Sequence, residues 1–110
     1  MKQLTFKKST NQGLIEGILR VSGKFIYFKY NNTTQSKQAI DNFREKGIEI
    51  KEGKGWIQVD LLKDRESVNL GSIFIDTLEE SDEQIEEKLF KFYKDQYTKL
   101  GFYIETQDDI

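Results

Sequence analysis

The chain has 110 residues, enough to build one hydrophobic core and too few for two. Its hydrophobic share is 36% and its charged share 33%, against ordinary values of about 45–50% (glycine included) and about 25%. It contains no Cys and no His. That removes disulfide frameworks, the usual zinc sites, and Ser-His-Asp or Cys-His nucleophile pairs.

The apolar residues are clustered and periodic, and 13% of the chain is aromatic. A folded domain with a heavily solvated surface is therefore expected, not a disordered chain. No apolar run approaches the ~20 residues that span a bilayer. Residues 1–8 alternate like a strand and lack the apolar region of a secretory signal. No membrane association and a cytoplasmic setting are expected. The absence of Pro beside abundant Lys, Ile, Asn and Glu fits a coding bias toward A and T, as in a low-GC bacterium or its phage. The net charge of −2 conceals a division. Residues 1–54 carry eleven basic and five acidic side chains, a net of +6, and residues 55–110 carry six and fourteen, a net of −8.

Leu4 and Phe6 alternate with polar neighbours, predicting a first strand over residues 2–8, and residues 9–13 read as a turn. Residues 14–21 predict a second strand with Ile15, Leu19 and Val21 on one face. Residues 25–30, apolar or aromatic on both faces, predict a third strand in a central position. A short helix is expected over residues 35–46, with Ala39, Ile40 and Phe43 on one side and Gly47 closing it. Residues 48–51 and 56–61 alternate on either side of the loop Glu52-Gly53-Lys54-Gly55 and predict a hairpin. Residues 67–76 suggest one further strand, bulged at Gly71 so that Val68, Leu70, Ile73 and Ile75 share a face. Ser81 and Gln84 match a capping box, opening a helix over residues 82–100 with an apolar stripe of Ile85, Leu89, Phe92 and Leu100. Residues 102–104 add a last short strand. The expectation is one α+β domain over residues 1–104, in the order βββα-βββαβ. It has a mostly antiparallel sheet of about six or seven strands, two helices on one face, and a frayed polar tail at 105–110.

No phosphate-binding loop and no calcium-loop spacing occurs, so no cofactor or metal is expected. Glu49-Ile50-Lys51, with Asp41 or Asp60 as a second acid, has the form used by metal-dependent nucleases. In a chain so rich in Glu and Lys the triplet reads better as the solvent-facing row of an amphipathic strand, and no enzyme is expected.

Two surfaces remain. The first is acidic. Asp76, Glu79, Glu80, Glu83, Glu86 and Glu87 could occupy a basic groove of a partner protein and so inhibit a nucleic-acid-handling enzyme. Trp56, opposite in parity to Ile57, Val59 and Leu61, would serve as an anchor. Phe90, Tyr93 and Tyr97 form a second aromatic line on the last helix, offered to a partner or to a second copy in a homodimer. A non-enzymatic protein-binding role is the leading expectation. The alternative is single-stranded nucleic-acid binding by the basic, aromatic first half. There Tyr27 would stack bases while Lys7, Lys8, Arg20, Lys24 and Lys29 meet phosphate.

Overall fold

Alternation decides which face of each strand is buried, and a single side of the sheet collects the large apolar residues. The computed structural model describes residues 1–63 and 65–108. Its elements are β1 (Lys2–Thr10), β2 (Gly13–Ser22), β3 (Phe25–Tyr30), α1 (Thr33–Glu45), β4 (Glu49–Gly53), β5 (Trp56–Asp60), β6 (Ser67–Asn69), β7 (Phe74–Asp76), α2 (Asp82–Lys99) and β8 (Tyr103–Asp108). Six strands form one antiparallel sheet in the order β4-β5-β3-β2-β1-β8, and β6 and β7 form a separate hairpin. The class is α+β, as the sequence predicts. Among the described residues no helix is long and apolar enough to cross a membrane.

Leu4 and Phe6 of β1, Leu19 and Val21 of β2, Ile26 and Phe28 of β3, and Ile57 and Val59 of β5 are buried on one side of the sheet. Each such side chain contributes on the order of 1.5–3 kcal/mol by leaving water. Both helices cover this side: Phe28 meets Phe43 of α1 and Tyr93 of α2, with ring centroids 5.6 Å apart in each case. Phe6 lies opposite Gly17 across the β1–β2 ladder. Its ring stacks on Tyr97 at 4.1 Å and meets Tyr30 and Phe102 edge-on. A Cβ at position 17 would come within 2.6 Å of Phe6 Cζ, so glycine makes room for the ring.

Both helices begin and end as their sequences dictate. Asn32 accepts a hydrogen bond from the Gln35 amide and caps α1, and Ser81 and Gln84 exchange side-chain and backbone bonds in the expected capping box. Gly47 and Gly101 take the left-handed conformation after the last turns. There the amides of Ile48 and Phe102 bond back to the carbonyls of Phe43 and Tyr97.

Three expectations are corrected. Residues 67–76 are not one bulged strand but two short ones, pairing Val68 with Ile75 around Gly71. Folding back on itself brings both parities to the core, which a single strand could reach only with a bulge. The polar residues 105–108 belong to β8, bonded along β1 from Lys7↔Tyr103 to Lys2↔Asp108; a tail of that composition is held because its backbone partner is preformed. The last two positions of the predicted tail lie outside the described residues. Finally, the core line of α2 is Ile85, Leu89, Phe90 and Tyr97, with Tyr93 packed against it, whereas Leu100 is 58% exposed. Steps of four residues from Ile85 lead to Tyr93 and Tyr97, so the aromatic line offered to a partner or second copy faces the protein's own sheet.

Candidate functional site on the open sheet face

The strand positions alternating with the core row form the opposite face of the sheet, which both helices leave uncovered. Cross-strand registers place Arg20 beside Tyr27, Tyr27 beside Gln58, and Gln58 beside Lys51. Trp56, at the start of β5, is half-buried, with the Arg20 guanidinium 4.9 Å and the Lys29 amine 5.6 Å from its ring. Arg20 is further oriented by donating from Nε to Gln3 Oε1 at 2.7 Å. A hollow of about 500 Å³ is lined by Arg20, Tyr27, Lys51, Lys54 and Trp56, with Glu52 its one carboxylate among the described residues.

A second hollow of about 400 Å³ lies further along the same face, between Lys7, Ile18, Lys29 and Tyr103. The Lys7 amine stands 5.3 Å from the Tyr103 ring, and Glu16 and Glu105 also line the hollow. Positive charge is therefore concentrated around Trp56 and balanced by acids nearer β8.

Of the basic residues singled out in the sequence, Lys7, Arg20 and Lys29 share this face with Tyr27, and Lys24 sits in the β2–β3 turn. Lys8 does not join them. Its amine donates to the Leu100 carbonyl at 2.7 Å and lies over Phe102, closing the C-terminal end of α2 from the helix side. Lys51, Lys54 and Tyr103 were missed. The parity of β5 and β4 was readable, but the strand order that sets them beside Tyr27 was not.

The acidic residues have mostly structural work. Glu86 accepts from the Gly23 amide at 3.1 Å and pairs with the N-terminal ammonium at 3.4 Å, tying α2 to the β2–β3 turn. Glu80 pairs with Lys88 and accepts from the Asp76 amide at 2.8 Å, and these bonds hold its carboxyl below the usual range. Asp76 accepts from the Leu78 amide at 2.9 Å. Glu79, Glu83 and Glu87 remain exposed. As contacts for a partner protein, Phe90 and Tyr97 are withdrawn: each is 8% exposed because it fills the α2–sheet interface. Tyr93 is packed against the same core.

The nuclease-like triplet is also taken up by the fold. Glu49 faces Asp60 across the β4–β5 ladder, but it bonds Lys63 at 2.6 Å, which lowers its pKa. Asp60 Oδ1 accepts from the Leu62 amide at 3.2 Å. Asp41 is on α1, across the sheet from both. Among the described residues no group of three or more carboxylates could hold a metal ion.

Comparison of the chain with protein families, with curated proteins and with solved structures finds no match in any of the three.

Proposed function

We propose that this protein binds single-stranded nucleic acid across the open face of its sheet. One observation carries the reading: Arg20, Lys29, Lys51 and Lys54 surround Trp56 and Tyr27 on a face the helices leave free. Aromatic rings give unpaired bases a stacking platform worth about 1–3 kcal/mol per base, and the surrounding cations meet the phosphates. Four neutralised phosphates correspond to a slope of about −3 in log affinity against log salt, at about 0.7 per phosphate for single strands. Trp56 is the only tryptophan, so its fluorescence reports occupancy directly.

The test is a titration of labelled single-stranded DNA and RNA at several salt concentrations. Quenching of Trp56, a steep salt slope and its reduction in Lys51→Glu/Lys54→Glu are expected. No binding at low salt overturns the proposal.

A second reading, protein–protein contact through the acidic side, is supported by Phe74 and Leu78. They are 53% and 74% exposed, and Glu79 and Glu83 follow close in sequence. An apolar pair rimmed by acids suits a basic partner surface, such as the groove of a nucleic-acid-handling enzyme. Affinity purification from cells should then lose a partner in Leu78→Ser/Glu79→Lys while retaining it in Lys51→Glu. Identical partner sets in all three would sink this reading.

A further inference from the structure

On the helix side the sheet is incompletely covered. α1 lies over β3 and β4, and α2 over β1, β2 and β8. Between them runs a cleft of about 650 Å³, within the range of about 300–1,000 Å³ typical of small-molecule sites. Phe28 and Tyr30 of β3 form its floor, with Phe43 of α1 and Phe92 and Tyr93 of α2 as aromatic walls. Val68 and Leu70 of the β6–β7 hairpin also line it.

The polar lining is selective. Among the described residues no Asp or Glu lines this cleft. Its charged groups are Lys46, just after α1, and Arg65, which is positioned by donating to the Gly47 carbonyl at 3.0 Å. The carboxamides of Gln35, Gln38, Asn42 and Gln96 supply neutral polarity.

Two phenolic protons are also uncommitted. The Tyr30 and Tyr97 hydroxyls are 2.9 Å apart, a bond that uses one of their two protons and leaves the other. The Tyr93 hydroxyl bonds no described residue. Among the described residues no fully buried side-chain polar atom lacks a partner, so the Tyr93 oxygen opens onto the cleft it lines. Open to the cleft, this phenol is free to donate its proton to water or to a bound acceptor.

We propose that this cleft binds an apolar organic anion, an acyl or aryl carboxylate whose body lies among the aromatic rings. Its oxygens take the phenolic protons and the charge of Lys46 and Arg65. The site is separate from the open sheet face and does not depend on nucleic-acid binding.

Isothermal titration calorimetry of the full chain with decanoate is the test, with decyltrimethylammonium as a probe of equal chain length and opposite charge. Saturable one-to-one binding of decanoate, and at least tenfold weaker binding of the cation, are expected. Ala39→Trp, a half-buried position of α1 that lines the cleft, should weaken decanoate at least tenfold by filling it. Lys46→Glu should weaken decanoate about fivefold or more, and Lys51→Glu on the opposite face should change nothing. Equal affinity for the two probes, no saturable binding of decanoate, or binding unaffected by both Ala39→Trp and Lys46→Glu overturns the proposal.

Discussion

The hydroxyl of Tyr30, at the end of β3, lies 2.9 Å from the hydroxyl of Tyr97, in the last turn of α2. This bond joins the basic half of the chain to the acidic helix, and it sits at the edge of the ring cluster around Phe6. Burial raises the pKa of both phenols, because an ionised phenolate in this setting would lose its water.

Tyr30→Phe and Tyr97→Phe should each destabilise the protein by about 1 kcal/mol, since each leaves one hydroxyl without its partner. The double variant should cost less than the two combined, because no orphaned hydroxyl remains. Urea unfolding of the four proteins measures the coupling. Strictly additive losses would show that the two hydroxyls do not act as a pair.

Ionisation of the buried phenols gives an alkaline limit. Tyr30, Tyr93 and Tyr97 all have pKa values raised in the folded state by burial. Their contribution is fully present below the unfolded tyrosine value of about 10 and is lost as pH rises beyond it. Each phenol held protonated while its unfolded counterpart ionises lowers stability by about 1.4 kcal/mol per pH unit. Urea midpoints should therefore fall above about pH 10, and phenolate absorbance from these rings should appear together with unfolding. Their ionisation with the fold intact would contradict the packing described here.

Much of this fold was legible because local signals and packing agree. The capping box at Ser81 and the glycines at 47 and 101 mark helix ends in any context. Trp56 could be set opposite Ile57 and Val59 because strand parity needs no knowledge of neighbours. The failures needed long-range information. Residues 105–108 carry no strand signal of their own and are ordered by β1. Parity alone separates Lys7 from Lys8, which follows Leu4 and Phe6, but that Lys8 meets the Leu100 carbonyl at the end of α2 depends on where the helix lies. The aromatic line at positions 90, 93 and 97 was visible as a line, but which side of α2 meets the sheet is settled by Phe6 and Phe28.

Gly17→Ala should be among the more damaging small substitutions. A Cβ there would stand 2.5 Å from the Lys29 carbonyl oxygen and 2.6 Å from Phe6 Cζ. Overpacking of this kind costs about 1–3 kcal/mol. Gly53→Ala is the control, since a Cβ at that position meets nothing within 4 Å. A lower urea midpoint for Gly17→Ala alone is expected. Equal effects of the two would mean that Phe6 can move aside at little cost.

Lys54 sets stability against the proposed binding face. The two-residue turn Lys54-Gly55 joins β4 to β5 with φ of 52° and 81°, and Lys54 is the one non-glycine at positive φ among the described residues. Such turns favour Asn-Gly, and a left-handed residue with an ordinary side chain costs about 1–2 kcal/mol. Lys54 nevertheless lines the hollow beside Trp56, so the strained position carries a cation to the face. Lys54→Asn should therefore raise stability by about 0.5–1 kcal/mol while weakening nucleic-acid binding and reducing the salt slope by about 0.7. Thermal unfolding and salt-dependent titration of the same variant measure the two effects. A more stable protein with unchanged affinity and slope would remove Lys54 from the binding face and leave the turn as a purely local strain.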